Sequence, residues 1–442
     1  MRPERSGLLH RGFTLLLGLV ALPAFQASAD DWPQWGGPQR DLVWREDGIV
    51  RKFPSGGLLP RIWSTPVGEG YAGPAVADGR VFVLDFLRDS DRGGRGGTER
   101  VLCLDAETGD VLWQHAYPVQ YTVSYPNGPR ATPVIDDNRV YTIGALGDMF
   151  CFDVASGDIL WETGFQKEFG TRLPNWGMAA SPLVEGDQLI TLVGGQEALV
   201  VSFDKRTGQV LWRALDSGAV GYCPPAIFEL GGRRQLLVWH PEALVALDPE
   251  DGKLQWQIPD RVGAGLTIAT PRVVGNRVFV SSFYNGGRMI EVAADGQSAQ
   301  IVWQGKSDSE ISTDTLHCLM STPVFTGSHI YGIGTYGQLR CLDAHTGERI
   351  WETFEATGEG RWWNAFLIPH EDRYFIHNEQ GDLIIARLSP EGYEEISRAK
   401  LLEPTRRVRR RMTIWSHPAF AMQSVFARND REIVRVDLRR DE

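Results

Sequence analysis

Apolar and polar positions alternate in one phrase that returns along the chain every ~40–60 residues, a spacing that marks repeat architectures. It reads VLCLDAETGDVLW at 101–113, MFCFDVASGDILW at 149–161 and VVSFDKRTGQVLW at 200–212. It recurs as ALVALDPEDGKLQW at 243–256 and LRCLDAHTGERIW at 339–351. A degenerate copy ends at Trp303, and another over 382–396 carries Ile396 where the others have Trp. Each phrase predicts a β-hairpin. The alternation makes a strand, and Asp followed by Thr or Ser and then Gly makes the turn. The carboxylate can accept turn N–H groups, and Gly supplies a positive φ. The second strand delivers a Trp to a buried seam, so that Trp is a packing residue rather than a ligand stacker.

A second phrase precedes each hairpin: PAVADGRVFVLD at 74–85, TPVIDDNRVYTIG at 132–144, SPLVEGDQLITLV at 181–193, TPRVVGNRVFVSS at 270–282 and TPVFTGSHIYGIG at 322–334. Variants begin near Pro225, Ala365 and Pro418. Each predicts a short strand, a tight turn and a longer strand. Together the two phrases make a four-stranded antiparallel blade, and counting first strands predicts an all-β, eight-bladed β-propeller. The eighth blade, 418–438, runs out of chain after three strands. An orphan strand at Pro60–Pro66 carries Trp63 in the repeat Trp slot and is expected to complete it, which removes two exposed sheet edges.

The segment before that strand divides in two. Arg2, Arg5 and Arg11 precede an apolar stretch from Phe13 to Phe25 that ends in Ala27-Ser28-Ala29. This is the pattern of a secretory signal peptide over 1–29, cleaved after Ala29. An N-terminal extension, 30–59, then leads to the propeller, 60–442. No Cys stands at the cleavage point and no later segment has the ~20 apolar residues of a membrane span, so a soluble, monomeric, periplasmic or secreted protein is expected. The net charge of −11 argues against nucleic acid as a partner. Locally, Arg406-Arg407-Val408-Arg409-Arg410-Arg411 departs from that balance, and reads either as a solvated loop or as a docking site for an anionic partner. Cys103, Cys151 and Cys341 share one repeat slot and are expected as buried strand residues. Cys223 and Cys318 fit no metal spacing.

Within a blade, the first and third turns are short and open on one face. Blade-to-blade connectors such as 115–130, 163–180, 304–320 and 402–415 are long and open on the other, as does a Gly/Arg/Asp-rich insertion at 87–100. Binding is expected on the long-loop face. Residues just before each innermost strand should ring the channel mouth: Arg130, Asn175, Trp176, Tyr222, Thr267, His317, Trp363, Asn364 and His417, with Tyr71, Trp362 and Trp415 beside them. Lys205 and Glu348 mark the opposite, short-turn face. His317 and His417 come from different blades with no evident carboxylate partner, so no metal pair is assigned. No nucleophile elbow, zinc motif, phosphate loop or C-x-x-C occurs, and no catalytic residue is assigned.

The repeat resembles the PQQ-like β-propeller superfamily over nearly all of the mature chain. Trp32-Pro33-Gln34-Trp35-Gly36-Gly37-Pro38 and the segment Asn175-Trp176-Gly177 to Ser181-Pro182 are similar to its secreted, BamB-like branch. That branch implies a non-catalytic exported scaffold for protein–protein or ligand interaction, with a protein partner in cell-envelope assembly. The quinoprotein alcohol dehydrogenases of the same superfamily imply the alternative: a PQQ- and calcium-dependent enzyme, with a small-ligand or glycan binder in the channel as a further reading. The chain lacks their adjacent Cys pair and their extra length, and PQQ is implied by resemblance alone.

Overall fold

The Asp-x-x-Thr-Gly turns close as their chemistry dictates. In a computed structural model describing Met1 and residues 31–54, 59–92 and 94–440, Asp105 Oδ1 accepts the backbone N–H groups of Glu107 and Thr108, each at 2.9 Å. Asp153, Asp204 and Asp343 do the same in their own blades. The N–H groups of Thr108 and Glu107 hold the Asp105 carboxyl below its ordinary range. The leader expected at 1–29 and its cleavage site lie outside the described residues, apart from Met1.

Among the described residues there are eight four-stranded antiparallel sheets and one two-stranded ribbon. The first blade is Ala75–Ala77, Arg80–Arg88, Gly96–Asp105 and Val111–Gln120, and six more follow in chain order to Gly392–Lys400. The last combines Ala419–Ala421, Ser424–Arg428 and Glu432–Asp437 with Arg61–Pro66 from the N-terminal side. Trp63 stands opposite Arg435 and Thr65 opposite Ile433. The expected closure is therefore the observed one. The insertion read as a loop at 87–100 is mostly paired strand: Leu87 faces Thr98 and Arg88 faces Gly97. A 3-10 segment at Ser90–Arg92 lies between them.

Neighbouring blades lock through the repeat Trp. Trp63, Trp113, Trp161, Trp303 and Trp351 each donate an indole N–H, at 2.8–3.1 Å, to a carbonyl in the third turn of the following blade. Trp212 reaches its turn through a relay: its indole donates to Gln188 Oε1, and Gln188 Nε2 donates to Pro249 O. The cysteines in the shared slot sit under these rings, Cys103 opposite Trp113, Cys151 opposite Trp161 and Cys341 opposite Trp351. All five cysteines are free and buried. Burial pushes the Cys103 and Cys151 thiols up to about 12, which makes them inert packing groups.

The extension is part of the fold. Trp32 exchanges two backbone hydrogen bonds with Val76 on the innermost strand of the first blade, at 2.8 and 2.9 Å. Pro33 O accepts from Ile135 of the second blade. Arg40 donates to Pro182 O at 3.0 Å and Pro225 O at 3.1 Å, in the third and fourth. Arg272 of the fifth donates to Asp41 O. Trp44 then packs on Phe375 and Phe420 of the last two blades. Inner strands present open edges to the channel, and this segment satisfies several of their backbone groups as a plug.

Candidate functional site

Within the plug, the Trp35 indole N–H donates to Thr270 Oγ1 at 3.0 Å while its ring meets His417 edge-on at 4.4 Å. Above it, on the long-loop face, opens a pocket of about 300 Å³. All eight blade-to-blade connections contribute: Tyr71, Tyr125 with Arg130 and Thr132, Trp176 with Ser181, Tyr222, Leu266 with Ile268, Leu319 with Met320, Arg361 with Trp362, and Trp415 with His417, while Phe366 comes from the innermost strand Ala365–His370. Phe283 and Tyr284 come from a loop inside the fifth blade. The lining is dominated by aromatic and aliphatic groups and, among the described residues, holds no carboxylate.

The aromatic groups are braced. Tyr71 stacks on Trp415 at 6.5 Å, and Tyr125 touches both Trp415 and Trp362. The Trp415 indole donates to Glu379 Oε2 at 2.9 Å. Burial raises the Glu379 carboxyl, against the pull of Arg411 and Trp415. Trp176 meets Tyr222 edge-to-face at 5.8 Å. Tyr125, Ala264 and Trp362 have φ of +51°, +55° and +69°. Such left-handed backbone in non-Gly residues costs about 1–3 kcal/mol each and collects at functional sites.

The polar groups are largely committed to the protein itself. The Arg130 guanidinium lies 5.0 Å over Tyr71 and donates to the carbonyls of Gly128, Ser124 and Tyr125. Burial lowers its pKa. Arg361 is paired with Glu310. His417 Nε2 is 2.7 Å from Thr132 Oγ1, and burial pushes the imidazole down to about 4, so it is neutral at pH 7.

Of the ring proposed from sequence, Arg130, Trp176, Tyr222 and His417 line the pocket, with Tyr71, Trp362 and Trp415. The other five do not. Asn175 bonds Ser124 within the connectors. Thr267 is fully buried and its carbonyl accepts from Tyr222 N. His317 is fully buried under Gly286, and it does have a carboxylate neighbour, Asp314 at 3.3 Å. Trp363 packs on Gly358 and Gly360 beneath Arg411. Asn364 is buried, its carbonyl accepting from Glu379 N. Sequence reasoning missed Trp35, Tyr125, Phe283, Tyr284, Arg361 and Phe366. The signal for Trp35 was the Trp-Pro-Gln-Trp-Gly-Gly-Pro motif, used there only as a mark of resemblance. On the opposite face Lys205 is not a free turn residue, because it is buried and paired with Asp136 at 2.5 Å.

A calcium-bound quinone does not fit these residues. Among the described residues the pocket has no carboxylate to ligate calcium, its two arginines are already engaged, and there is no cluster of three His, Cys, Asp or Glu able to hold a metal. No helix among the described residues is long and apolar enough to cross a membrane.

The family model described as outer membrane protein assembly factor BamB matches residues 46–126, 97–353 and 288–442. The protein of that name from Vibrio cholerae is 31% identical over 116 residues, which cover 25% of this chain and 29% of that protein. Its namesake from Burkholderia pseudomallei is 25% identical over 219 residues, covering 39% and 54%. The chain thus spans 29–54% of the length of the curated relatives it matches. The crystal structure of BamB from Moraxella catarrhalis superposes with a TM-score of 0.58 at 16% identity, covering 87% of this chain and 99% of that one. At that identity the likeness shows the fold.

Proposed function

The chain belongs to the family described as outer membrane protein assembly factor BamB, and on that premise we propose that it is an exported, non-catalytic scaffold of the cell envelope. It binds a protein partner on the long-loop face, with the aromatic pocket as the docking point. The observation that supports this is the pocket's chemistry. Rigid aromatic groups from different blades converge there while their polar neighbours are spent on internal hydrogen bonds. Such a cavity offers apolar contact area at low entropic cost, the usual anchor of a protein interface. The short-turn face instead offers Asp-capped turns and little shape.

The test is site-specific photo-crosslinking in intact cells, with the photoreactive residue placed at Trp176 or Tyr222 on one face and at Glu250 or Glu348 on the other. Adducts to an envelope protein are expected from the first pair. Adducts from the turn positions alone would overturn the reading. Cell fractionation checks export, and a cytoplasmic pool of unprocessed chain would count against it.

A further inference from the structure

We propose that the long-loop face is built for an acidic segment of its protein partner. One large apolar side chain enters the pocket beside Trp362, and carboxylates flanking it meet Arg407, Arg409 and Arg410. This rests on the scaffold reading and adds the chemistry of the partner.

The arginine run at 406–411 forms the ribbon Arg406–Val408 with Arg411–Thr413, so it is neither an irregular loop nor uniformly solvated. Its arginines fall into two groups. Arg406 is buried, bonds Asp430 and the Gly70 carbonyl, and lies 3.7 Å over the Tyr71 ring. Arg411 pairs with Glu379 and lies 5.1 Å over Trp363. These two fix the ribbon to the scaffold. Arg407, Arg409 and Arg410 are exposed, and among the described residues none has a carboxylate within ion-pair distance. Arg409, at a turn position with φ +54°, places its guanidinium 4.5 Å from the centre of the Trp362 ring. A free cation is thus joined directly to the pocket wall.

Two nearby carboxylates are already taken. Glu310 pairs with Arg361 and accepts from Tyr336, and Glu379 is held by Arg411 and Trp415. Three exposed arginines within four residues, with no carboxylate partner among the described residues, make a local positive patch on a chain of net charge −11, and such a patch attracts and orients an acidic segment. The same overall charge disfavours a long polyanion, so a short acidic stretch fits better than nucleic acid. The cavity, about 300 Å³, is at the small end of ligand sites, roughly 300–1,000 Å³, and suits a single large side chain.

The probe is a fluorescein-labelled synthetic peptide with the core Glu-Asp-Trp-Glu-Asp. One comparator has Gln and Asn for the acids, and another has Ala for Trp. Anisotropy titrations against the mature protein at low salt should show each comparator binding at least ~10-fold more weakly. High salt should weaken the acidic peptide most. The variant combining Arg407→Glu, Arg409→Glu and Arg410→Glu should erase the preference for acidic over neutral peptide. Trp176→Ala with Tyr222→Ala should erase the preference for Trp over Ala. Equal affinities for the acidic and neutral peptides, a preference surviving charge reversal, or binding indifferent to the Trp anchor would each overturn the proposal, as would no binding at ~1 mM. If the charge-reversed protein still crosslinks from Trp176 in cells with undiminished yield, the acidic-segment proposal fails while the scaffold reading stands. If the unaltered protein yields no adduct there, the scaffold reading itself fails.

Discussion

Gly208 shows why one turn residue is fixed. Its φ is +72°, and a Cβ there would lie 2.7 Å from the Trp161 indole of the preceding blade. Turn geometry and inter-blade packing therefore demand glycine for separate reasons. Gly109, Gly157, Gly252 and Gly347 meet the preceding Trp in the same way. Trp161→Ala should cost about 3–5 kcal/mol through lost burial and a cavity. Gly208→Ala should cost roughly 1–3 kcal/mol from backbone strain and the clash. The two are coupled: without the indole the clash disappears and only the strain remains. Urea denaturation of both single variants and the double variant should show a sum that exceeds the double by at least ~0.5 kcal/mol. Strict additivity would mean that the ring and the glycine do not meet. Trp351 is half-buried where Trp161 is buried, so Trp351→Ala should cost less.

Strands and connectors pose a different question, because a closed ring needs a seam. Here the seam is Arg61–Pro66 against Glu432–Asp437, with Trp63 donating to Ala106 O and Thr65 to Gly109 O in the first blade. One strand thus joins the last blade to the first. Deleting 30–67 should lower the unfolding free energy by several kcal/mol, since backbone pairing and a buried indole go together. That deletion also removes the plug, so Trp63→Ala isolates the seam. A thermal melt of Trp63→Ala matching that of the unaltered protein would remove the seam from the stability argument. This closure was legible in the sequence because the repeat is local: Asp, Gly and Trp recur at fixed offsets, and a lone strand bearing the Trp has one empty slot to fill. The pocket was legible only in part. Position before an innermost strand says which residues come near the channel mouth but not where their side chains turn. Trp362 and Trp363 are neighbours, yet one faces the cavity and the other packs against glycines. That choice is set by the φ of +69° at Trp362 and by contacts with other blades, which no local pattern records. The two roles within the arginine run were likewise hidden, because Asp430 and Glu379 lie 24 and 32 residues away in sequence.

For the molecule as a whole, the plug ties the blades together at the centre while the Trp seams tie them around the circumference. Its motif at 32–38 marked a resemblance but not a path through the ring, because the segment is aperiodic and bonds mainly to backbone groups of separate blades. Arg40 is its principal tether. Its guanidinium spans Pro182 O and Pro225 O and also takes Gln34 Oε1, and burial pushes it down to about 10. Removing it leaves buried carbonyls unpaired, at about 1–3 kcal/mol for each such group. Trp35 is the other fixed point, held by Thr270 and set under the pocket. The variant combining Trp35→Ala with Arg40→Ala should therefore loosen the centre without opening the circumference. Hydrogen exchange distinguishes the two. The amides of Val76 and Ile135, which donate to Trp32 O and Pro33 O, should exchange at least ~10-fold faster, because local opening no longer breaks a fixed plug. Amides of the outer strands Ile159–Gly164 and Arg349–Thr353 should keep their rates, since their pairing and their Trp seams are untouched. Equal acceleration at centre and rim would show that plug and ring unfold as one unit. An unchanged rate at Val76 would show that Arg40 and Trp35 do not hold the segment in place.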